Sequence, residues 1–145
     1  MNYGRLALAA VLGTVADVTY GFVAYGMLLT GQFSQYPGVY RPADDMSHMP
    51  VLVAGAFVAV LAATFIYSKG YEGRSGVEEG LRFGALMGLF CVGYAAMVNY
   101  AVLNIGRRLA VGLAAAGLAE WLVVGLVIGL VYKPATTVVR QRTAV

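Results

Sequence analysis

Charge is scarce in this 145-residue chain. Lys, Arg, Asp and Glu together make up 12% of it, and there is one histidine, one cysteine, one tryptophan and four prolines. The single cysteine, Cys91, excludes an internal disulfide and reads as a small packing residue in an apolar run. With one histidine, a multi-histidine metal centre is excluded. No glycine-rich phosphate loop and no serine, cysteine or metal hydrolase constellation is present. The net charge of +3 has no basic face interleaved with exposed aromatics behind it, so nucleic acid is not an expected partner.

What is abundant is apolar sequence: 60% of residues are hydrophobic and the mean hydropathy is +0.75. A hydrocarbon layer roughly 30 Å thick takes about 20 apolar residues in a helix. Four runs qualify: Leu6 to Thr30, Pro50 to Ser68, Leu81 to Leu103 and Leu109 to Tyr132. The expected fold is an all-α, membrane-spanning four-helix bundle forming one domain over residues 1–145, with a basic tail at 136–145. Thr14, Val15 and Ala16 loosely resemble a signal cleavage site, but apolar sequence continues to Leu29, so the first run reads as a retained span.

Lysine and arginine set the expected orientation, because cytoplasmic flanks keep more positive charge. With four spans, both termini share a side with the loop from Lys69 to Gly80. That side carries Arg5, Lys69, Arg74, Arg82, Lys133, Arg140 and Arg142, against Arg41, Arg107 and Arg108 on the other, so both termini are expected to be cytoplasmic. The loop from Gly31 to Met49 is the longest, and Tyr36, Pro37, Tyr40 and Pro42 suggest an irregular segment at headgroup level that caps the bundle or meets a partner. Glu78 and Glu79 begin the third run, where acids complement the helix dipole.

Lipid does not drive apolar helices together as water does, so small residues at a spacing of four mark where backbones approach. Gly80, Gly84 and Gly88 form such a stripe on the third run, Gly125 and Gly129 on the fourth, and Gly13 and Gly21 flank Asp17 on the first. These stripes read as contacts within the bundle, with an oligomer contact as the other possibility.

Two runs carry a carboxylate at mid-length, Asp17 and Glu120. An acid at a helix centre costs roughly 2.5 to 3.5 kcal/mol on insertion, which the ten Leu, Phe or Val residues of the first run, each returning roughly 0.3 to 0.6 kcal/mol, offset. No Lys, Arg or His lies near mid-depth. Partners must therefore be hydrogen-bond donors: Thr14, Thr19, Tyr20, Tyr25, Tyr94, Asn99 or Tyr100. If Asp17 and Glu120 meet, they share one proton or hold a cation between them. Two readings compete: a proton or substrate site, and a pair of acids that only fix helix register. Trp121, beside Glu120, needs an indole partner inside the bundle. His48, with Met46 and Met49, is a weak candidate for a soft metal; no cofactor is expected.

The stretches Lys69-Gly70-Tyr71-Glu72-Gly73 and Gly76-Val77-Glu78-Glu79-Gly80-Leu81-Arg82-Phe83-Gly84, followed by Asn99 and Glu120, resemble uncharacterised bacterial four-helix integral membrane proteins. The resemblance runs from the first span to Lys133 and implies a multi-pass protein of a bacterial inner membrane, with no catalytic residue to carry over. The expected function is a non-enzymatic accessory or structural subunit packing against other membrane subunits, or against itself as a homo-oligomer. The alternative is a small proton- or cation-coupled transporter using the two carboxylates.

Overall fold

A computed structural model describes residues 1–42 and 44–132. The expected tail at 136–145 lies outside them. Four helices long and apolar enough to cross a membrane account for most of the described chain: Tyr3–Leu28, Met46–Lys69, Gly76–Val102 and Arg107–Val131. No strand occurs among the described residues. The chain is an all-helical, multi-pass membrane protein.

Each helix starts two to five residues before the apolar run that marks it, because capping and first-turn residues are polar. Asn2 caps the first helix by accepting from Arg5 N–H at 3.1 Å. Asp45 opens the second through a 3₁₀ turn, Met46–His48, with Pro50 in the first turn, where a missing N–H costs nothing. Ser75 caps the third by accepting from Glu78 N–H at 3.2 Å, so this helix begins at Gly76 rather than Leu81. The turn before it needs Gly73 at φ +86°, a left-handed conformation that a side chain strains.

The fourth helix is the centre of the bundle. The third packs along one flank and the first along another, with the second outside the first. Val60, Ala63, Val124, Ile128 and Ala9 form the core where first, second and fourth helices meet, all at 1% exposure or less. Gly13 faces this core: a Cβ there would lie 2.8 Å from Val60 Cγ1.

The third and fourth helices touch backbone to backbone. A Cβ on Gly80 would sit 2.5 Å from the Gly125 carbonyl oxygen, and one on Gly125 would sit 2.6 Å from Gly84 Cα. Gly84 abuts the Trp121 carbonyl, Gly88 abuts Leu118, and Gly129 faces Gly76. The two glycine stripes therefore face each other within one chain. Gly76 extends the seam by a turn that the apolar run did not include. Such closeness admits Cα–H···O contacts and dispersion that side chains would prevent.

At the end carrying the N terminus, Tyr67, Tyr71, Phe83 and Tyr132 meet edge to face at centroid distances of 5.3 to 6.2 Å. Beneath them Glu79, 6% exposed, accepts from Tyr67 Oη at 3.2 Å, Glu72 N–H at 3.1 Å and Arg74 N–H at 2.6 Å. It latches the 70–75 loop, beyond the dipole role expected of it. At the opposite end Phe33, Tyr36 and Tyr40 fold onto Ile105 and Leu109, and Tyr36 Oη accepts from Gly106 N–H at 2.9 Å. The long loop thus covers the start of the fourth helix.

Candidate functional site

Glu120 lies between the first and fourth helices. One carboxylate oxygen, Oε2, accepts from Tyr25 Oη at 2.8 Å. The other, Oε1, lies beside Gly21, 3.5 Å from where a Cβ would stand, an ordinary contact distance. Gly117, one turn before Glu120, keeps the Tyr25 hydroxyl close at 3.8 Å from its own Cβ position.

Glu120 opens into a cleft of about 170 Å³. Tyr25 lines it from the first helix. Cys91, Ala95, Ala96 and Asn99 come from the third, and Leu113, Gly117, Glu120 and Trp121 from the fourth. The second helix contributes nothing to this lining.

The cleft exists because the glycine seam stops. Beyond Gly88 the third helix changes at Val92–Met97 to a π-helix, and small Ala95 and Ala96 face the gap. The first helix makes the same change at Phe22–Leu28, closing with Leu29 N–H to the Ala24 carbonyl at 3.0 Å. An i→i+5 turn is wider than an α-turn and rotates the following residues relative to the α-helical register. Both π segments border the cleft, and Tyr25 sits within one of them.

The other candidates divide. Asp17 stands one helical turn before Gly21, half-buried, within coulombic reach of Glu120, and has no hydrogen-bond partner among the described residues. Tyr20 is also within electrostatic reach of Glu120. Asn99 is exposed and lines the cleft. Cys91 and Trp121 both line the cleft. Thr14 and Thr19 bond back to the carbonyls of Ala10 and Val15 in their own helix, at 2.8 and 2.7 Å. Tyr94 is 70% exposed and stacks on Phe90 at 5.7 Å, so it turns away from the carboxylates.

His48 engages Ser47 through Nδ1 at 2.7 Å, and Ser47 N–H donates to Asp45 Oδ1 at 3.1 Å. Met46 and Met49 instead line an apolar groove of about 840 Å³ between the first two helices, which His48 does not line. No cluster of three or more His, Cys, Asp or Glu side chains able to hold a metal ion occurs among the described residues.

Of the residues gathered here, the one bonded to Glu120 is Tyr25, reached by a helix change that leaves no mark in an apolar sequence. Its only advance signal is a phenol near the depth of an acid that needs a donor.

Chemically the arrangement is a carboxylate with one phenolic donor, a second acid nearby, and a small cavity walled by apolar, aromatic and thiol groups. In low dielectric such a site favours a proton or a cation as occupant. Against models of known protein families, curated proteins and solved structures, the chain finds no match.

Proposed function

We propose that this multi-pass protein takes up a proton or small cation at Glu120 and acts as a small proton- or cation-coupled transporter in a bacterial inner membrane. The reading is non-enzymatic. The observation that supports it is a contrast between two acids in one chain. Glu79 has three donors and 6% exposure, as a carboxylate serving architecture should. Glu120 has one donor and faces a cavity. Asp17, within coulombic reach, adds a second acid with no counter-charge beside it in the spans.

The test is flux in proteoliposomes carrying a trapped pH-sensitive dye. Proton or cation movement should be abolished by Glu120→Gln and reduced by Asp17→Asn, while Glu78→Gln, on the exposed loop side, should leave it intact. Equal flux in Glu120→Gln and the unaltered protein would sink this reading.

The accessory-subunit reading has one observation in its favour: the apolar groove between the first two helices, lined by Val11, Val15, Val53 and Phe57, is wide enough for side chains of another membrane helix. The glycine stripes no longer support it, since they face each other. Purification in native lipid with mass determination of the whole assembly separates the two, a stoichiometric larger complex favouring the subunit.

A further inference from the structure

We infer that the occupant of the Glu120 cleft is a small alkylammonium ion; this rests on the proposed function and narrows its substrate class. Size sets the first limit. The cleft's volume of about 170 Å³ is room for several water-sized groups, enough for a short amine and more than a bare ion fills.

Lining chemistry sets the second. A bare alkali or alkaline-earth ion is satisfied by roughly six oxygens. The cleft offers the Glu120 carboxylate, the Asn99 amide oxygen, and a Tyr25 hydroxyl already donating to Glu120. The rest of its wall is hydrocarbon, thiol and aromatic: Ala95, Leu113, Cys91 and the Trp121 indole. An alkylammonium matches both halves. Its N–H groups donate to Glu120 and Asn99, its charge is balanced by the carboxylate, and its alkyl part rests against Ala95 and Leu113. The Tyr25 and Trp121 rings bordering the same space add the attraction that aromatic groups have for organic cations.

The chain's single tryptophan lines the cleft and serves as the reporter. The full chain in lipid nanodiscs is titrated with propylammonium chloride at constant ionic strength, with sodium chloride as reference, while Trp121 emission is followed. The expected result is a saturable change with propylammonium that sodium does not give. Removing one member of a buried charge pair costs upward of 2 kcal/mol, so Glu120→Gln should weaken apparent affinity by about thirtyfold or more. Ala95→Leu, at an exposed position where the fold tolerates bulk, should fill the wall and weaken affinity about tenfold. No response beyond that of sodium overturns the inference, as does an affinity unchanged in both variants. A pH titration of the same emission separates the underlying reading. A proton response lost in Glu120→Gln, with no propylammonium response, removes the alkylammonium and leaves proton binding. Silence to both removes both.

Discussion

Tyr25 Oη donates to Glu120 Oε2 at 2.8 Å, joining the first and fourth helices across residues 95 positions apart in sequence. The bond is the sole side-chain hydrogen bond to Glu120 among the described residues. Tyr25→Phe keeps the ring and removes the donor, and a hydrogen bond to a charged group is worth about 1.5 to 3 kcal/mol. The expected outcome is an unchanged helical circular-dichroism spectrum with a shifted pH midpoint for Trp121 emission. A midpoint identical to that of the unaltered protein would show that the phenol is not coupled to the acid.

The glycine seam predicts a sharp positional difference among alanine substitutions. At Gly80, Gly84 and Gly125 a methyl group meets backbone, and forced overpacking costs about 1 to 3 kcal/mol or more. At Gly55 and Gly93 it meets nothing within 4 Å, so alanine should be neutral or stabilising, gaining up to about 1 kcal/mol from helix propensity. Thermal unfolding of the five variants in one detergent checks this. Similar Tm values across both groups would contradict the close packing.

Glu79→Gln retains shape but replaces one accepting oxygen by an amide nitrogen, so at least one of Tyr67 Oη, Glu72 N–H and Arg74 N–H loses its acceptor. Leaving a buried donor unpaired costs about 1 to 3 kcal/mol. Limited proteolysis should then cut the 70–75 loop faster than in the unaltered chain, while Glu78→Gln, which loses the exposed pair with Arg74, should cut at the unaltered rate.

At the start of the second helix, hydrogen bonds from the Ser47 hydroxyl and N–H hold the Asp45 carboxyl below its usual value of 3.8, with Arg41 contributing less. A depressed value in the folded state means the interaction is fully present above pH 3.8 and fades as pH falls through the lower folded value. Amide exchange at Ser47 should be protected at pH 5 and lose that protection, relative to neighbouring amides, only well into the acid range. Protection that is the same in Asp45→Ala would remove the carboxylate from the account.

The positions of the four helices were legible because a spacing of four glycines and an apolar run of span length each follow from a single physical demand. Gly80, Gly84 and Gly88, like Gly125 and Gly129, could be marked as contact stripes by periodicity, but that the two stripes face each other came from the structure. The helix starts were legible only in part: Glu78 and Glu79 read as first-turn acids, while Ser75, polar and outside the apolar run, gave no sign that it caps a helix beginning at Gly76. The π segments escaped for a different reason. Val92-Gly93-Tyr94-Ala95-Ala96-Met97 carries no proline, no charge and nothing else that distinguishes five-residue from four-residue hydrogen bonding. Projecting an unbroken α-helix therefore gave Tyr94 the same standing as Tyr20 and Tyr25, whereas it lies on the outer surface. The cleft follows from those two segments, so it too was out of reach of the sequence.

The seam that begins where Gly76 meets Gly129 also ends where the cleft begins. The third and fourth helices are locked backbone to backbone from Gly76 to Gly88, and the part of the third helix that lines the cleft, Cys91 to Asn99, lies beyond that lock. The opposing wall is the first helix, which meets the fourth through Glu120, Tyr25 and the Gly13 core and brings the second helix with it through Val60. The cleft thus sits where neither contact reaches: past the end of the glycine seam on one side and, on the other, at the π-helical stretch Phe22–Leu28 that supplies Tyr25.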